Sequence, residues 1–323
     1  MFRVIIVFLC VFAVTHPISI KAFANRKLSS NATSNNSTIE LVILGVAQDA
    51  GYPQINCYKP HCKDGWENFE ARKLATSLAI IDHQSKQKFL FEATPDIKEQ
   101  FYRLHKIAPD VEYSLSGIFL THAHMGHYTG LMHLGREAAG TKGVPVYAMP
   151  KMTQFLKSNG PWSQLVALNN VALKPLENNQ AVKLSPQFKV TPLTVPHRDE
   201  YSETVGFVIE SSRKKVLFIP DIDKWQKWSQ SLEALVKQVD YALLDATFFE
   251  NGELPNRDMS EVPHPFVEET MALLSKLSKS DKNKVIFIHF NHTNPLLKDG
   301  SEAQKKVISN GFRYATEGMK IAL

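Results

Sequence analysis

Thr121-His122-Ala123-His124-Met125-Gly126-His127 follows directly on the apolar run Gly117-Ile118-Phe119-Leu120. In an extended chain alternate side chains share a face, so His122 and His124 point the same way. A turn at Gly126 then returns His127 to them. Imidazole is costly to bury without a partner and is the commonest protein ligand for metal ions near neutral pH. Three of the chain's 12 histidines gathered at the end of one strand predict a metal-binding loop rather than a solvated turn.

Thr-His-Ala-His-Met-Gly-His-Tyr-Thr-Gly-Leu resembles the HxHxDH signature of the metallo-β-lactamase superfamily, with Gly126 where that family has Asp. Three further blocks are similar to the branch containing pyrroloquinoline-quinone biosynthesis protein B. They are Leu44 to Pro53 (LGVAQDAGYP), Ala93-Thr94-Pro95-Asp96, and Ile288 to Pro295 (IHFNHTNP). The resemblance runs from about residue 40 to the end of the chain and implies an αββα sandwich, two mixed β-sheets with helices outside.

The first residues read as an export signal. Arg3 supplies a positive charge, Val4 to Val14 is apolar, and Ala22-Phe23-Ala24 is a small-x-small cleavage site. The apolar stretch is too short to span a bilayer core. Residues 1–24 are therefore expected to be removed, and the product to be periplasmic or secreted without a membrane anchor. Their loss would take away Arg3 and Lys21 and lower the net charge from +5 to +3. So mild a charge predicts no nucleic-acid partner. Residues 25–39 are rich in Asn and Ser and read as a flexible polar leader, with sequons at Asn31, Asn35 and Asn36. Residues 40–323 form the expected domain.

Within it, short runs rich in Val, Ile, Leu and Phe alternate with helix-like segments. Strands are expected at 40–44, 77–82, 88–91, 117–120, 144–148, 188–195, 204–210, 215–219, 241–244 and 284–289. Helices are expected at 95–105, 130–139, 152–157, 224–239, 265–277 and 302–309. The alternation fits layered sheets with helices outside.

By motif match, the resemblance implies a first metal site of His122, His124 and His197, the last in Val195-Pro196-His197-Arg198. It implies a second site of His127 and His289, bridged by Asp221, which ends the apolar run Val216 to Pro220. Asp223 competes for either role, and Asp221 could instead cap a helix. Asp221 and His127 are the expected catalytic residues. In the family the Asp corresponding to Gly126 ligates the second metal, so a substitute is required: a water, His292 just after His289, or Asp245 in Asp245-Ala246-Thr247. Zinc, one or two ions, is the expected cofactor, and iron or manganese suits the same nitrogen and oxygen donors.

Cys57-Tyr58-Lys59-Pro60-His61-Cys62 places two thiols and an imidazole together. Relatives in the branch carry a Cys-rich structural zinc there, which implies His264 as a distant fourth ligand. An exported Cys pair can equally close as a disulfide.

These readings favour an exported metal-dependent hydrolase acting on a small-molecule ester, lactone, amide or phosphodiester. Alternatives are an iron-dependent oxidative enzyme related to pyrroloquinoline-quinone biosynthesis, and a catalytically silent metal-binding protein of the same fold. The sequence leaves the oligomeric state open.

Overall fold

The structure is a computed structural model that describes residues 38–198, 200–255 and 257–323. The expected export signal and nearly all of the polar leader lie outside the described residues. In chain order the strands are β1 (Ile39–Gly45), β2 (Ser77–Asp82), β3 (Gln87–Phe91), β4 (Ser114–Phe119), β5 (Val144–Ala148), β6 (Val171–Pro175) and β7 (Val182–Lys183). They continue as β8 (Phe188–Thr194), β9 (Val205–Ser211), β10 (Lys215–Ile219), β11 (Tyr241–Asp245), β12 (Val285–Ile288), β13 (Arg313–Tyr314) and β14 (Lys320–Ala322). One sheet runs β14-β1-β2-β3-β4-β5-β6 and the other β13-β12-β11-β10-β9-β8-β7. Both mix parallel and antiparallel pairs, and helices cover their outer faces. This is the sandwich expected from the sequence.

Strand alternation builds the layers. In β1, Ile39, Leu41 and Ile43 enter the core between the sheets, while Val42 and Leu44 face the helical layer. In β3, Phe89 and Phe91 point inward and Leu90 outward. Buried on both faces, such strands read as continuous apolar runs, which is why they stand out in the sequence. Phe91 stacks on Phe119 at 4.9 Å and meets Phe207 of the opposite sheet edge-on at 5.5 Å. Each such ring contributes roughly 1.5–3 kcal/mol by burial and locks the sheets in relative position.

The expected helix at 130–139 is instead a 3-10 segment, Thr129–Leu134, followed by a turn over residues 136–139. The expected helix at 224–239 is broken into Trp225–Lys227 and Leu232–Gln238, because the Ser231 hydroxyl accepts from Ala234 N–H and starts a new helix. Helix Pro60–Glu67 and strands β6, β7, β13 and β14 were not anticipated. Among the described residues no helix is long and apolar enough to cross a membrane.

Strands β1, β3, β4, β8, β10, β11 and β12 run in one sense. Their carboxyl ends open on one edge of the sandwich, and the loops that follow them hold the histidines and carboxylates.

Candidate metal centre

His122 leaves the end of β4 almost fully buried. One helical turn, Met125–Tyr128, brings His127 back over it, with His127 N–H donating to the His124 carbonyl at 3.0 Å. His197 comes from the loop after β8 and Asp221 from the loop after β10. The ligand atoms of His122, His124, His197 and Asp221 all lie within 4.8 Å of one another. His122 Nε2 is 2.8 Å from His124 Nδ1 and 3.3 Å from Asp221 Oδ2, and His197 Nε2 is 3.3 Å from Asp221 Oδ1.

A second group shares Asp221. Asp49, His127, Asp221 and His289 also place their ligand atoms within 4.8 Å. His127 Nε2 stands 3.2 Å from Asp49 Oδ1 and 3.4 Å from Asp221 Oδ2, and His289 Nε2 stands 3.8 Å and 3.9 Å from the same two oxygens.

The outer nitrogens explain the orientation. Thr247 Oγ1 donates its single proton to Asp245 Oδ1 at 2.7 Å, so it accepts from His289 Nδ1 at 3.0 Å. That leaves the lone pair of His289 on Nε2, facing inward. His127 Nδ1 lies 3.3 Å from the Glu92 carboxylate, and His197 Nδ1 lies 3.3 Å from Asp223. Acceptors behind imidazoles fix tautomer and direction in metal sites. The inward atoms His127 Nε2, His197 Nε2, His289 Nε2, Asp49 Oδ1 and Asp221 Oδ1 are buried and make no hydrogen bond. Orphaned buried polar atoms are rare in folded proteins. A cation resolves them, and mixed imidazole and carboxylate donors suit zinc, iron or manganese. The residues fit a metal.

The backbone carries strain at this edge. Asp49, Glu92 and His289 all have positive φ, at 32°, 75° and 72°. Non-glycine residues held there cluster at functional sites. Burial would raise the Asp221 carboxyl, but the surrounding His197, His264 and His289 hold it well below the usual range. Burial would likewise raise Asp49, and its contacts with His127 and His289 hold it well below.

Two sequence expectations change places. His264 does not join the cysteines. It is buried in the cleft, with Nδ1 2.9 Å from Asp245 Oδ2 and 3.1 Å from Asp221 Oδ1. His292 does not enter the cleft group but stands with Cys57, His61 and Cys62, its ring 5.6 Å from that of His61. Both residues lie in irregular loops, and the side of the cleft each reaches is set by the docking of those loops. Asp245 does not enter the second group but forms a further cluster of possible ligands with Asp221 and His264, its Oδ1 accepting from Thr247 N–H and Oγ1 and its Oδ2 from Ile222 N–H. It orients His264. Asp223 stands behind His197 and pairs with Lys227. Cys57 and Cys62 are joined as a disulfide, with Cα atoms 6.1 Å apart, and their sulfurs lie with His61 and His292 in a cluster whose donors could hold a metal ion if the pair were reduced. Asp49, Glu92 and Thr247 were missed. A carboxylate just before Gly51 and past a strand end was the available signal for Asp49.

Residues 87–290 match the family model of the beta-lactamase superfamily domain. The chain belongs to that superfamily. Coenzyme PQQ synthesis protein B of Methylobacterium sp. (strain 4-46) is 24% identical over 307 residues, spanning 88% of this chain and 100% of that protein. Its counterpart in Pseudomonas putida (strain F1) is 27% identical over 308 residues, spanning 87% and 99%. Among solved structures, zinc-bound PqqB from Methylobacterium extorquens superposes with a TM-score of 0.73 at 23% identity, covering 88% of this chain and all of that one. A diphosphatase from the PhnP family follows at TM-score 0.60 and 21% identity, covering 88% and 96%. The chain is thus a PqqB-like protein of the metallo-β-lactamase fold.

Proposed function

We propose that this protein is a metal-dependent hydrolase of small anionic esters, phosphoesters foremost, working outside the cytosol. The observation that carries the reading is Asp221. One buried carboxylate is shared by two groups of inward-facing imidazoles, and the cleft they form opens beside a cationic cavity.

That cavity, about 290 Å³, is lined by Gln48, Arg198, Arg257, Asn291 and His264, with Phe248 among its apolar walls. Among the described residues no carboxylate lines it. Guanidinium groups recognise phosphate and carboxylate oxygens through planar, paired donors. Divalent ions bound at such a pair of sites supply a Lewis acid and a nucleophilic water at neutral pH. His264 supplies the other half of the chemistry. Burial would lower its imidazole, but the carboxylates of Asp245 and Asp221 reverse this and lift it to about 10. With Nδ1 held beside the carboxylates of Asp245 and Asp221, its ring stands in the cleft wall, where it can donate a proton to a leaving oxygen.

Two features support the export part of the reading: the expected cleavage after Ala24 and the Cys57–Cys62 disulfide, which suits an oxidising compartment. N-terminal sequencing of exported protein should begin at Asn25. The activity is tested by a screen of phosphomonoesters, phosphodiesters, lactones and carboxylic esters with metal-stripped protein as control. Turnover of phosphoesters that disappears on stripping and returns with zinc is expected. Turnover of none of them would overturn the reading.

A second reading rests on the full-length curated relatives, which are PQQ synthesis proteins. All donors in the two cleft groups are nitrogen or oxygen, and such a set accepts iron. Iron retained by anaerobically purified protein, with dioxygen consumed by that iron-loaded protein, would favour this oxidative role.

A further inference from the structure

Glycine at position 126 removes the carboxylate with which the family completes its second metal site, and the structure shows what fills the space. A Cβ built on Gly126 would lie 2.3 Å from Asp49 Cα and 2.5 Å from Asp49 Oδ1. The Asp49 side chain thus stands where a side chain from position 126 would go. Its Oδ1 makes no hydrogen bond and lies 3.2 Å from His127 Nε2 and 3.8 Å from His289 Nε2, two fully buried nitrogens that also make none.

The loop bearing Asp49 is fixed rather than loosely placed. Gln48 N–H donates to the Phe290 carbonyl at 2.8 Å, next to His289, and Gly51 N–H closes the turn on the Gln48 carbonyl at 3.0 Å. Asp49 itself sits at φ 32°, a conformation that Asp adopts more readily than most residues. We propose that Asp49 is the carboxylate ligand of the second metal ion. It takes the part of the side chain that Gly126 lacks, and the two positions exclude one another: a carboxylate at 49 requires glycine at 126. This rests on the metal-centre reading above, but not on any particular substrate.

Zinc titration followed by calorimetry and elemental analysis tests it, using oxidised protein whose free-thiol content is zero so that Cys57 and Cys62 do not contribute. The wild type should bind two ions in the cleft. Asp49→Ala should keep the ion at His122, His124 and His197 and weaken the other by about 100-fold or more, beyond the 10–100-fold typical of residues behind the ligands. Asp49→Asn, of the same size, should weaken it as well. Gly126→Asp alone should lower thermal stability and weaken the second ion, because its Cβ has no room.

The decisive variant is the exchange, Asp49→Gly with Gly126→Asp. Glycine tolerates the positive φ at 49 and vacates the space, so second-ion affinity should return to within about 10-fold of the wild type. Non-additivity of this kind marks two positions serving one site. Two ions bound by Asp49→Ala with wild-type affinity, a wild type that binds only one, or a folded exchange variant with no recovery would each overturn the proposal. A wild type that binds two ions yet hydrolyses nothing would defeat the hydrolase reading and leave Asp49 as a ligand.

Discussion

The two halves of the cleft centre are assembled differently. His122, His124 and His197 come from two loops, and their rings touch one another, with centroids 4.4 Å, 5.0 Å and 5.3 Å apart. Asp49, His127 and His289 come from three loops that follow β1, β4 and β12, strands drawn from both sheets. The first half is organised largely by one short motif. Both need the two sheets docked in register, since His197 follows β8 of the second sheet, but each residue of the second half comes from its own loop, tied by links such as Gln48 N–H to the Phe290 carbonyl. Asp221 joins them.

The largest effect is expected where the halves meet. Asp221→Ala should lose both ions and reduce turnover by about a thousandfold or more, since a shared ligand and its charge go together. If one ion survives with wild-type affinity, Asp221 is not shared. The next effects separate the halves. His197→Ala should remove the first ion and His289→Ala the second, each weakening its own site by about 100-fold, as read by zinc titration. Equal loss of both ions in either variant would mean that the halves are one cooperative unit.

His264→Ala should reduce turnover by roughly 10–100-fold while both ions stay bound, because the residue acts as an acid rather than a ligand. Its carboxylate partners favour the protonated ring, so an alkaline fall of the wild-type rate that reports loss of that proton should be missing from the variant. A variant with an unchanged alkaline limb would remove His264 from the chemistry.

The legible parts of the molecule share a physical cause. Strands buried on both faces, such as Ser77–Asp82 and Lys215–Ile219, are dense in Ile, Leu and Phe and are placed to the residue. The edge strands β7 and β13 have only two residues each and leave no periodic trace. His122, His124 and His127 are read from spacing because one strand end and one turn suffice to bring them together. Asp49 could not be read that way. Its role follows from the space at Gly126, which exists only once the loop after β1 lies against the loop after β4. His264 and His292 were exchanged for the same reason: each sits in an irregular loop whose destination is a tertiary matter.

Smaller effects belong away from the ligands. Replacing Cys57 and Cys62 together by Ser opens a short loop and should cost about 2 kcal/mol of stability, measured by denaturant unfolding, with cleft zinc unchanged. Loss of cleft zinc would tie the Cys57 loop to the centre. Burial pushes the Glu253 carboxyl up to about 7, against hydrogen bonds from Thr293 and from Phe249 N–H. A carboxyl raised in the folded state contributes most below its unfolded value near 4.5 and loses that contribution as pH rises through about 7. Glu253→Gln should therefore flatten the decline in stability between pH 5 and 8 by on the order of 1 kcal/mol. An identical decline in both proteins would show that Glu253 ionises freely.

Anomalous diffraction at the zinc edge from zinc-soaked crystals tests the central claim most directly. Two peaks in the cleft are expected, one within bonding distance of His122, His124 and His197 and one of Asp49, His127 and His289, with Asp221 reaching both. A single cleft peak, or zinc bound only at His61 and His292 beside the cysteines, would contradict a two-ion centre bridged by Asp221.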